Sequence, residues 1–225
     1  EYLSVASMIL SSVLQKEKYD EFAERTRRLY DMMKKHHPLI TSSDDSVFFA
    51  MLALSERTDE EIIDETVACY DILKNSFFDK NSVLSLALVL ALSESKDKTP
   101  EEKCNDTVQL FNILKEKKNK YGTGYELATL GILAMRPCDL NQTADDLIEV
   151  ADLLKQQRGY GFFGLDRAQR LMHAGMLLVG ENDDDGNVST GAVIGSSLSL
   201  IAAQHAALCA AIAAGILASN AIRSK

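Results

Sequence analysis

Three glycines and a group of aromatic and basic side chains lie together in residues 158–175. Gly159, Gly161 and Gly164 have the G-x-G-x-x-G spacing that cradles a dinucleotide pyrophosphate when it joins a strand to a helix. Here a helical pattern precedes the glycines, and no strand pattern occurs anywhere in the chain, so we interpret the match as a loop and not as a nucleotide site. Gly159 is expected to take the left-handed conformation that ends the preceding helix.

The same loop is the best candidate for a binding surface, because aromatic side chains beside arginines stack ligands or anchor partners. Polar residues of the C-terminal region would complete a pocket if they converge on it, since buried polar groups need partners. The candidate ligand-binding residues are Tyr160, Phe162, Phe163, Arg167, Arg170, His173, Gln204 and His205. The pattern favours the alternative, a packed corner in which the phenylalanines turn into the core and the arginines stay in solvent.

Two segments contain metal-ligand residue types without a metal-ligand pattern. His36 and His37 are adjacent and would point about 100° apart on a helix, so we expect them at a helix C-terminus that Pro38 ends. The acidic segment 181–187 resembles part of an EF-hand loop, but Ala192 occupies the place of the bidentate glutamate. We therefore predict no metal site, and we interpret the acidic segment as a solvated loop.

The sequence contains no catalytic motif such as H-E-x-x-H, G-x-S-x-G or a P-loop. Its carboxylates cluster where helices should begin, and capping explains them there. We therefore predict no catalytic residues and no cofactor, and we expect a non-enzymatic protein.

Composition indicates a folded, acidic protein of 225 residues, 46% of them hydrophobic, with a net charge of −9. That charge argues against a nucleic-acid partner, which requires a basic face, and suits a cytoplasmic protein. Its four cysteines are scattered without a C-x-x-C pair, so we expect reduced and mostly buried thiols in a reducing compartment. They are Cys69, Cys104, Cys138 and Cys209.

A repeat of about 40 residues organises the chain. Equivalent positions Tyr30, Tyr70, Phe111 and Ala151 are separated by 40, 41 and 40 residues, close to the length of HEAT and armadillo units. Each repeat contains an amphipathic helix and a more apolar helix, the latter predicted at 46–55, 82–93 and 125–135. Predicted helix N-caps are Ser42 or Ser43, Thr58, Thr99 and Thr143.

The C-terminal region is unusual because residues 186–222 contain no Asp, Glu, Lys or Arg. Small residues recur there every four positions, which lets another helix approach closely. We predict a helix at 191–225 that is buried on the rest of the protein. Two alternatives remain, a homo-oligomer contact and a membrane association through 191–222, although Gln204 and His205 near the middle disfavour the membrane. The small residues are Ser199, Ala203, Ala207, Ala211, Gly215 and Ser219.

The chain resembles an uncharacterised bacterial all-helical family, the domain of unknown function 4003. The resemblance lies in HHPLITSSDDSVFFAMLALS (36–55), GYGFFGLDRAQRLMHAGMLL (159–178), AAQHAALCAAIAA (202–214) and the helix ends around Lys34, Lys74 and Lys115. It implies a longer parent protein with further helices before Glu1, and it implies no activity. It also places the Ala-rich region within the family's domain, which favours burial over a membrane anchor.

Together these observations predict an all-α protein, a right-handed α-α superhelix of about five helical hairpins in a single domain. The predicted parts are a hairpin array at 1–179, an acidic loop at 180–190 and the C-terminal helix at 191–225. The predicted function is a scaffold that binds unidentified protein partners and no nucleic acid. A small-ligand-binding protein or enzyme, with a pocket between the glycine loop and the C-terminal helix, is the alternative, and membrane association is a third.

Overall fold

A computed structural model describes residues 14–93, 98–160 and 164–181, together with Ser7 and Ser11. Regular structure within these residues is helical throughout, without a strand, which confirms the predicted all-α class. Short 3₁₀ turns at Lys16–Lys18 and Ser43–Asp45 precede the first two α-helices. The α-helices of the described residues are α1 (Tyr19–His36), α2 (Ser46–Leu52), α3 (Asp59–Leu73), α4 (Lys80–Leu92), α5 (Pro100–Glu116), α6 (Leu127–Ala134), α7 (Leu140–Lys155) and α8 (Arg167–Glu181).

The helices pack in two layers. Helices α1, α3, α5 and α7 contact one another in chain order, as do α2, α4, α6 and α8, and each odd-numbered helix packs on the even-numbered helix that follows it. N-caps of the odd helices, at Lys18, Thr58, Thr99 and Asp139, are separated by 40, 41 and 40 residues. Stacked helical hairpins make contacts in this order. The right-handed superhelical path stays a prediction, and the predicted C-terminal helix lies outside the described residues.

Helices α3, α5 and α7 begin at side-chain caps, whereas Lys18 at the start of α1 makes no side-chain cap hydrogen bond. Thr58 Oγ1 accepts the backbone N–H of Glu61 at 3.2 Å, and the Glu61 carboxylate accepts the backbone N–H of Thr58 at 2.8 Å. Thr99 and Glu102 repeat this capping box at the start of α5. Hydrogen bonds from the backbone and then the side chain of Thr58 lower the pKa of Glu61. The N-caps predicted at Thr58 and Thr99 are therefore confirmed, and each satisfies backbone donors that have no partner within the helix.

The N-cap of α7 is not the residue that the sequence predicted. The helix begins at Leu140, where Asp139 caps it by accepting the backbone N–H of Asn141 at 2.8 Å. Thr143, the predicted cap, is instead fully buried inside the helix, where its hydroxyl lies 3.0 Å from the Cys138 thiol. The prediction was wrong because Asp139 and Thr143 are both good capping residues, and burial of Thr143 decided between them.

Even-numbered helices α2, α4 and α6 are buried on nearly all sides and match the three predicted apolar helices to within three residues. All seven residues of α2 are buried, and so is every residue of α4 from Leu86 to Leu92. Gly131 lets α6 approach α4 closely, because a Cβ there would lie 2.5 Å from Leu86 Cδ1. These helices therefore form the inner part of the core, with the amphipathic odd helices packed against them.

A buried lysine closes the carboxyl end of α4. The Lys103 side chain is 3% exposed, and its Nζ donates to Glu65 Oε1 at 2.8 Å and to the carbonyl oxygens of Leu90, at 3.1 Å, and Ser93. Glu65 also accepts a hydrogen bond from Arg57. Because the last carbonyls of a helix have no partner within it, Lys103 satisfies groups that would otherwise be left unpaired in the core.

Candidate functional site

The amino-terminal ends of α2, α4, α6 and α8 lie at one edge of the molecule, together with the connections that precede them. We call this the connection edge (residues 37–45, 74–82, 115–127, 155–160 and 164–170). Side-chain contacts join neighbouring connections there: Gln169 Nε2 donates to Tyr125 Oη at 3.0 Å, and Arg167 Nη1 donates to the Lys118 carbonyl oxygen at 2.6 Å. The edge therefore brings together residues from four distant stretches of the chain.

A carboxylate lies at the start of each even-numbered helix and accepts a backbone N–H. The carboxylates of Asp79 and Asp166 accept the N–H groups of the residues two and three positions later, as helix caps do. Asp45 accepts the N–H of Ser42 at 2.9 Å, and Glu126 accepts the N–H of Gly124 at 3.1 Å. The cap predicted at Ser42 or Ser43 is wrong for α2, because the helix begins at Ser46, after the 3₁₀ turn, with Asp45 at its N-cap position and no side-chain cap hydrogen bond. These carboxylates offset the positive ends of the helix dipoles at this edge.

A pocket of about 150 Å³ opens between the first turns of α2, α4 and α6. Its walls combine aromatic rings with hydroxyl, amide and carboxylate groups. The side chains of Asn81 and Ser85 form no hydrogen bond with the described residues. Asp45, which also lines the pocket, is buried. The lining residues are Ile40, Ser42, Asp45, Phe48, Asn81, Ser82, Ser85, Tyr125 and Ala128.

Two large apolar side chains project into solvent beside this pocket. Leu39 is 96% exposed in the connection before α2, and Phe78 is 100% exposed in the connection before α4. The residues that follow Leu39 and precede Phe78 in the chain are packed against the protein. Ile40 lines the pocket, and Phe77 is buried with its ring centroid 5.2 Å from that of Phe111. The backbone on either side is therefore anchored, and it holds both apolar side chains outward.

The glycine loop does not have the geometry of a phosphate cradle. Gly159 has φ of 92°, which confirms its predicted left-handed conformation, although it lies beyond the helix, which ends at Lys155. Its carbonyl oxygen accepts the backbone N–H of Leu165 at 3.0 Å. A Cβ at Gly164 would lie 1.9 Å from that same oxygen. Two of the three glycines are therefore explained by a loop that closes on itself, and Gly161 lies outside the described residues.

Four of the eight predicted site residues are described, and they bond to one another or to the backbone. Tyr160 Oη lies 2.8 Å from His173 Nδ1, Arg170 Nη1 donates to the Tyr160 carbonyl oxygen at 3.1 Å, and Arg167 reaches the carbonyl of Lys118. Burial lowers the pKa of His173. Tyr160, Arg170 and His173 thus form one cluster, and their role in binding stays a prediction. The predicted residues outside the described part are Phe162, Phe163, Gln204 and His205.

A cluster of positive charge lies in the half of the connection edge that precedes α6 and α8. Residues 115–127 and 155–170 contain eight of the chain's 24 Lys and Arg side chains but only three of its 33 Asp and Glu side chains, a net charge of +5 in a protein of −9. We call these eight side chains the basic cluster. Its members are Lys115, Lys117, Lys118, Lys120, Lys155, Arg158, Arg167 and Arg170.

Lys118 in this cluster has an unusual backbone. It follows α5 with φ of 61°, and the N–H of Asn119 donates to the Leu114 carbonyl oxygen at 2.8 Å, which is the Schellman ending that normally uses glycine. A lysine in the left-handed region is strained relative to glycine. The net charge of the whole chain, which is −9, conceals this cluster. The run KEKKNK at 115–120 was the available signal.

The described residues contain no group of three or more His, Cys, Asp and Glu side chains placed to hold a metal ion. His36 ends α1 and His37 caps it, as predicted, and burial lowers the pKa of His37. Cys69 and Cys104 are buried free thiols, and Cys138 is an exposed one, while Cys209 lies outside the described part. Within that same part, no helix is long and apolar enough to cross a membrane, and the alternative span at 191–222 falls beyond it.

Fold and site together define an all-helical protein of two packed layers with a polar pocket and exposed apolar and basic groups along one edge. The chain belongs to the family of proteins of unknown function DUF4003, whose profile matches residues 1–206. This confirms the resemblance stated above, and the match includes Gln204 and His205 but ends within the Ala-rich segment. No curated protein and no solved structure matches the chain.

Proposed function

We propose that this protein is a non-enzymatic interaction module, a bacterial cytoplasmic helical-repeat scaffold that binds a partner protein along the connection edge. The observation that supports this function is the exposure of Leu39 and Phe78 on neighbouring connections, at 96% and 100%. Stacked hairpins offer an extended surface of this kind, and loops held by a rigid scaffold are common binding elements.

Both side chains favour binding for a simple physical reason. Full burial of a Leu or Phe side chain contributes roughly 1.5–3 kcal/mol, and aromatic anchors dominate many protein interfaces. Neither residue contributes to the core of the described residues, so that part of the protein gains no stability from the apolar character of Leu39 or Phe78. A partner that covers both would gain two anchors on backbone that is already ordered, which lowers the entropic cost of association.

A variant-dependent capture experiment tests this proposal. Wild-type protein and the variant Leu39→Ser/Phe78→Ser are immobilised, and proteins retained from a lysate of the source organism are compared by quantitative mass spectrometry. The matched control is Leu153→Ser/Leu177→Ser, which removes two apolar side chains that are each 56% exposed on α7 and α8. We expect proteins that both the wild type and the control retain and that the first variant loses. If no retained protein depends on Leu39 and Phe78, the interaction function of this edge is refuted.

The polar pocket favours a second candidate, binding of a small polar ligand. A cavity of about 150 Å³ suits a molecule of a few heavy atoms, and the Asn81 amide and Ser85 hydroxyl have no protein partner among the described residues. Thermal-shift screening against sugars, amino acids and polyamines tests this function. A ligand that raises Tm for wild type but not for Ser85→Leu, which fills the pocket, would support it, and equal shifts in both proteins would refute it.

A further inference from the structure

We propose that the basic cluster is the docking surface for an acidic segment of a protein partner. The inference rests on the interaction function proposed above, and it names the chemistry of the partner at the other half of the connection edge. It depends on three observations: the local charge, the absence of partners for that charge among the described residues, and the strained conformation of Lys118.

The cluster is strongly positive in an otherwise acidic molecule. Its two segments have a net charge of +5, so the remainder of the chain has a net charge of −14. Contact between the segments is direct, because Arg167 on the second donates to the backbone of Lys118 on the first. The start of α8 adds the positive end of a 15-residue helix, although Asp166 offsets part of it.

Most of this charge has no counterpart among the residues that the structure describes. Lys117 forms an ion pair with Asp145 at 2.6 Å. The other four lysines of the cluster and Arg158 are exposed and form no ion pair with the described residues. Elsewhere in the same part, basic side chains are commonly paired, as Arg25 is with Asp59 and Lys103 with Glu65. Within the described part of the chain, the cluster therefore has positive charge without an acidic partner, and an anionic segment of another protein can neutralise it.

Lys118 places a positive charge at this position at a cost in stability. Glycine is favoured where a helix ends in the left-handed conformation, and lysine has no packing role here because its side chain is exposed. Substitution by glycine is expected to stabilise the fold while it removes one positive charge. Strained residues that persist against a more stable choice often serve a function.

The observations favour an acidic protein segment over nucleic acid or membrane. The remainder of the chain has a net charge of −14, so a long polyanion or a charged bilayer that extends past the cluster would meet mostly acidic residues and be repelled. A short acidic peptide, in contrast, fits within the positive region and avoids this repulsion. In addition, the cluster continues along the same edge towards Leu39 and Phe78, so a partner with apolar and acidic residues matches both halves.

A binding titration with matched charge variants tests this proposal. The probe is a fluorescein-labelled deca-glutamate peptide, and fluorescence anisotropy reports its Kd at low salt. Lys115→Gln/Lys120→Gln removes two charges from the cluster, and Lys16→Gln/Lys18→Gln removes two exposed charges from the 3₁₀ turn before α1. Both variants have the same net charge, so a difference between them reports position alone.

We expect the cluster variant to weaken peptide binding about tenfold and the control variant to change it less than twofold. Lys118→Gly is expected to weaken binding several-fold while it raises Tm by about 2–4 °C. Equal weakening by both double variants, or no measurable binding, would overturn the proposal. Tighter binding of a 12-nucleotide RNA or of phosphatidylserine vesicles, with the same dependence on Lys115 and Lys120, would also overturn it. Leu39→Ser/Phe78→Ser should leave the affinity for this peptide unchanged. The peptide titration can therefore refute the acidic docking surface independently of the capture experiment that tests the interaction function.

Discussion

Replacement of Lys103 by methionine should destabilise this protein more than any surface change. The side chain is 3% exposed, and its ammonium group satisfies the Glu65 carboxylate and two carbonyl oxygens at the end of α4. Methionine keeps most of the apolar volume but donates no hydrogen bond. Removing one partner of a buried ion pair costs about 3–5 kcal/mol, and the Arg57 contact that Glu65 retains places the expected loss near the lower value.

Urea denaturation followed by circular dichroism measures this loss. With an m value of roughly 1–3 kcal/mol/M, the midpoint should fall by at least about 1 M. Lys98→Met is the matched control, because Lys98 pairs with Asp106 at 2.6 Å but its side chain is 36% exposed, and such pairs contribute at most about 1 kcal/mol. Glu65→Gln, which keeps hydrogen-bonding atoms, should be intermediate. Equal midpoints for Lys103→Met and Lys98→Met would refute the assignment of Lys103 as a stabilising buried cap.

Three further predictions concern the loop, the thiols and pH. Gly164→Ala should lower Tm markedly, because its Cβ would lie 1.9 Å from a backbone carbonyl oxygen, and a normal Tm would contradict this loop geometry. Brief iodoacetamide treatment of the native protein should label exposed Cys138 and spare Cys104, whose pKa is raised by hydrogen bonding with Cys69 and by burial; peptide mapping distinguishes the two. Burial lowers the pKa of His37 from 6.5, so the folded state disfavours its protonation, and the free energy of unfolding should fall as pH drops below about 6.5. His37→Gln should flatten that pH dependence, and an unchanged slope would contradict it.

The sequence by itself determined the class of fold and much of its helical organisation. Hydrophobic period and spacing locate the amphipathic helices, because one face of each must be apolar wherever it packs. Capping residues such as Thr58 and Thr99 act on the nearest backbone N–H groups, so their role follows from local sequence. The left-handed conformation of Gly159 likewise follows from its local sequence, and the absence of a strand pattern before the glycines distinguishes this loop from a nucleotide-binding motif.

Tertiary structure decided which residues from distant stretches meet. Thr143 and Asp139 are equivalent as caps in the sequence, and only packing shows that one is buried and the other begins α7. The connection edge depends on antiparallel helix pairs that bring residues 118 and 167 into contact. These residues are far apart in the chain, and no local sequence pattern encodes a contact between them. Exposure of Leu39 and Phe78 is likewise invisible in the sequence, because an apolar side chain in a loop turns inward or outward according to the space that neighbouring helices leave.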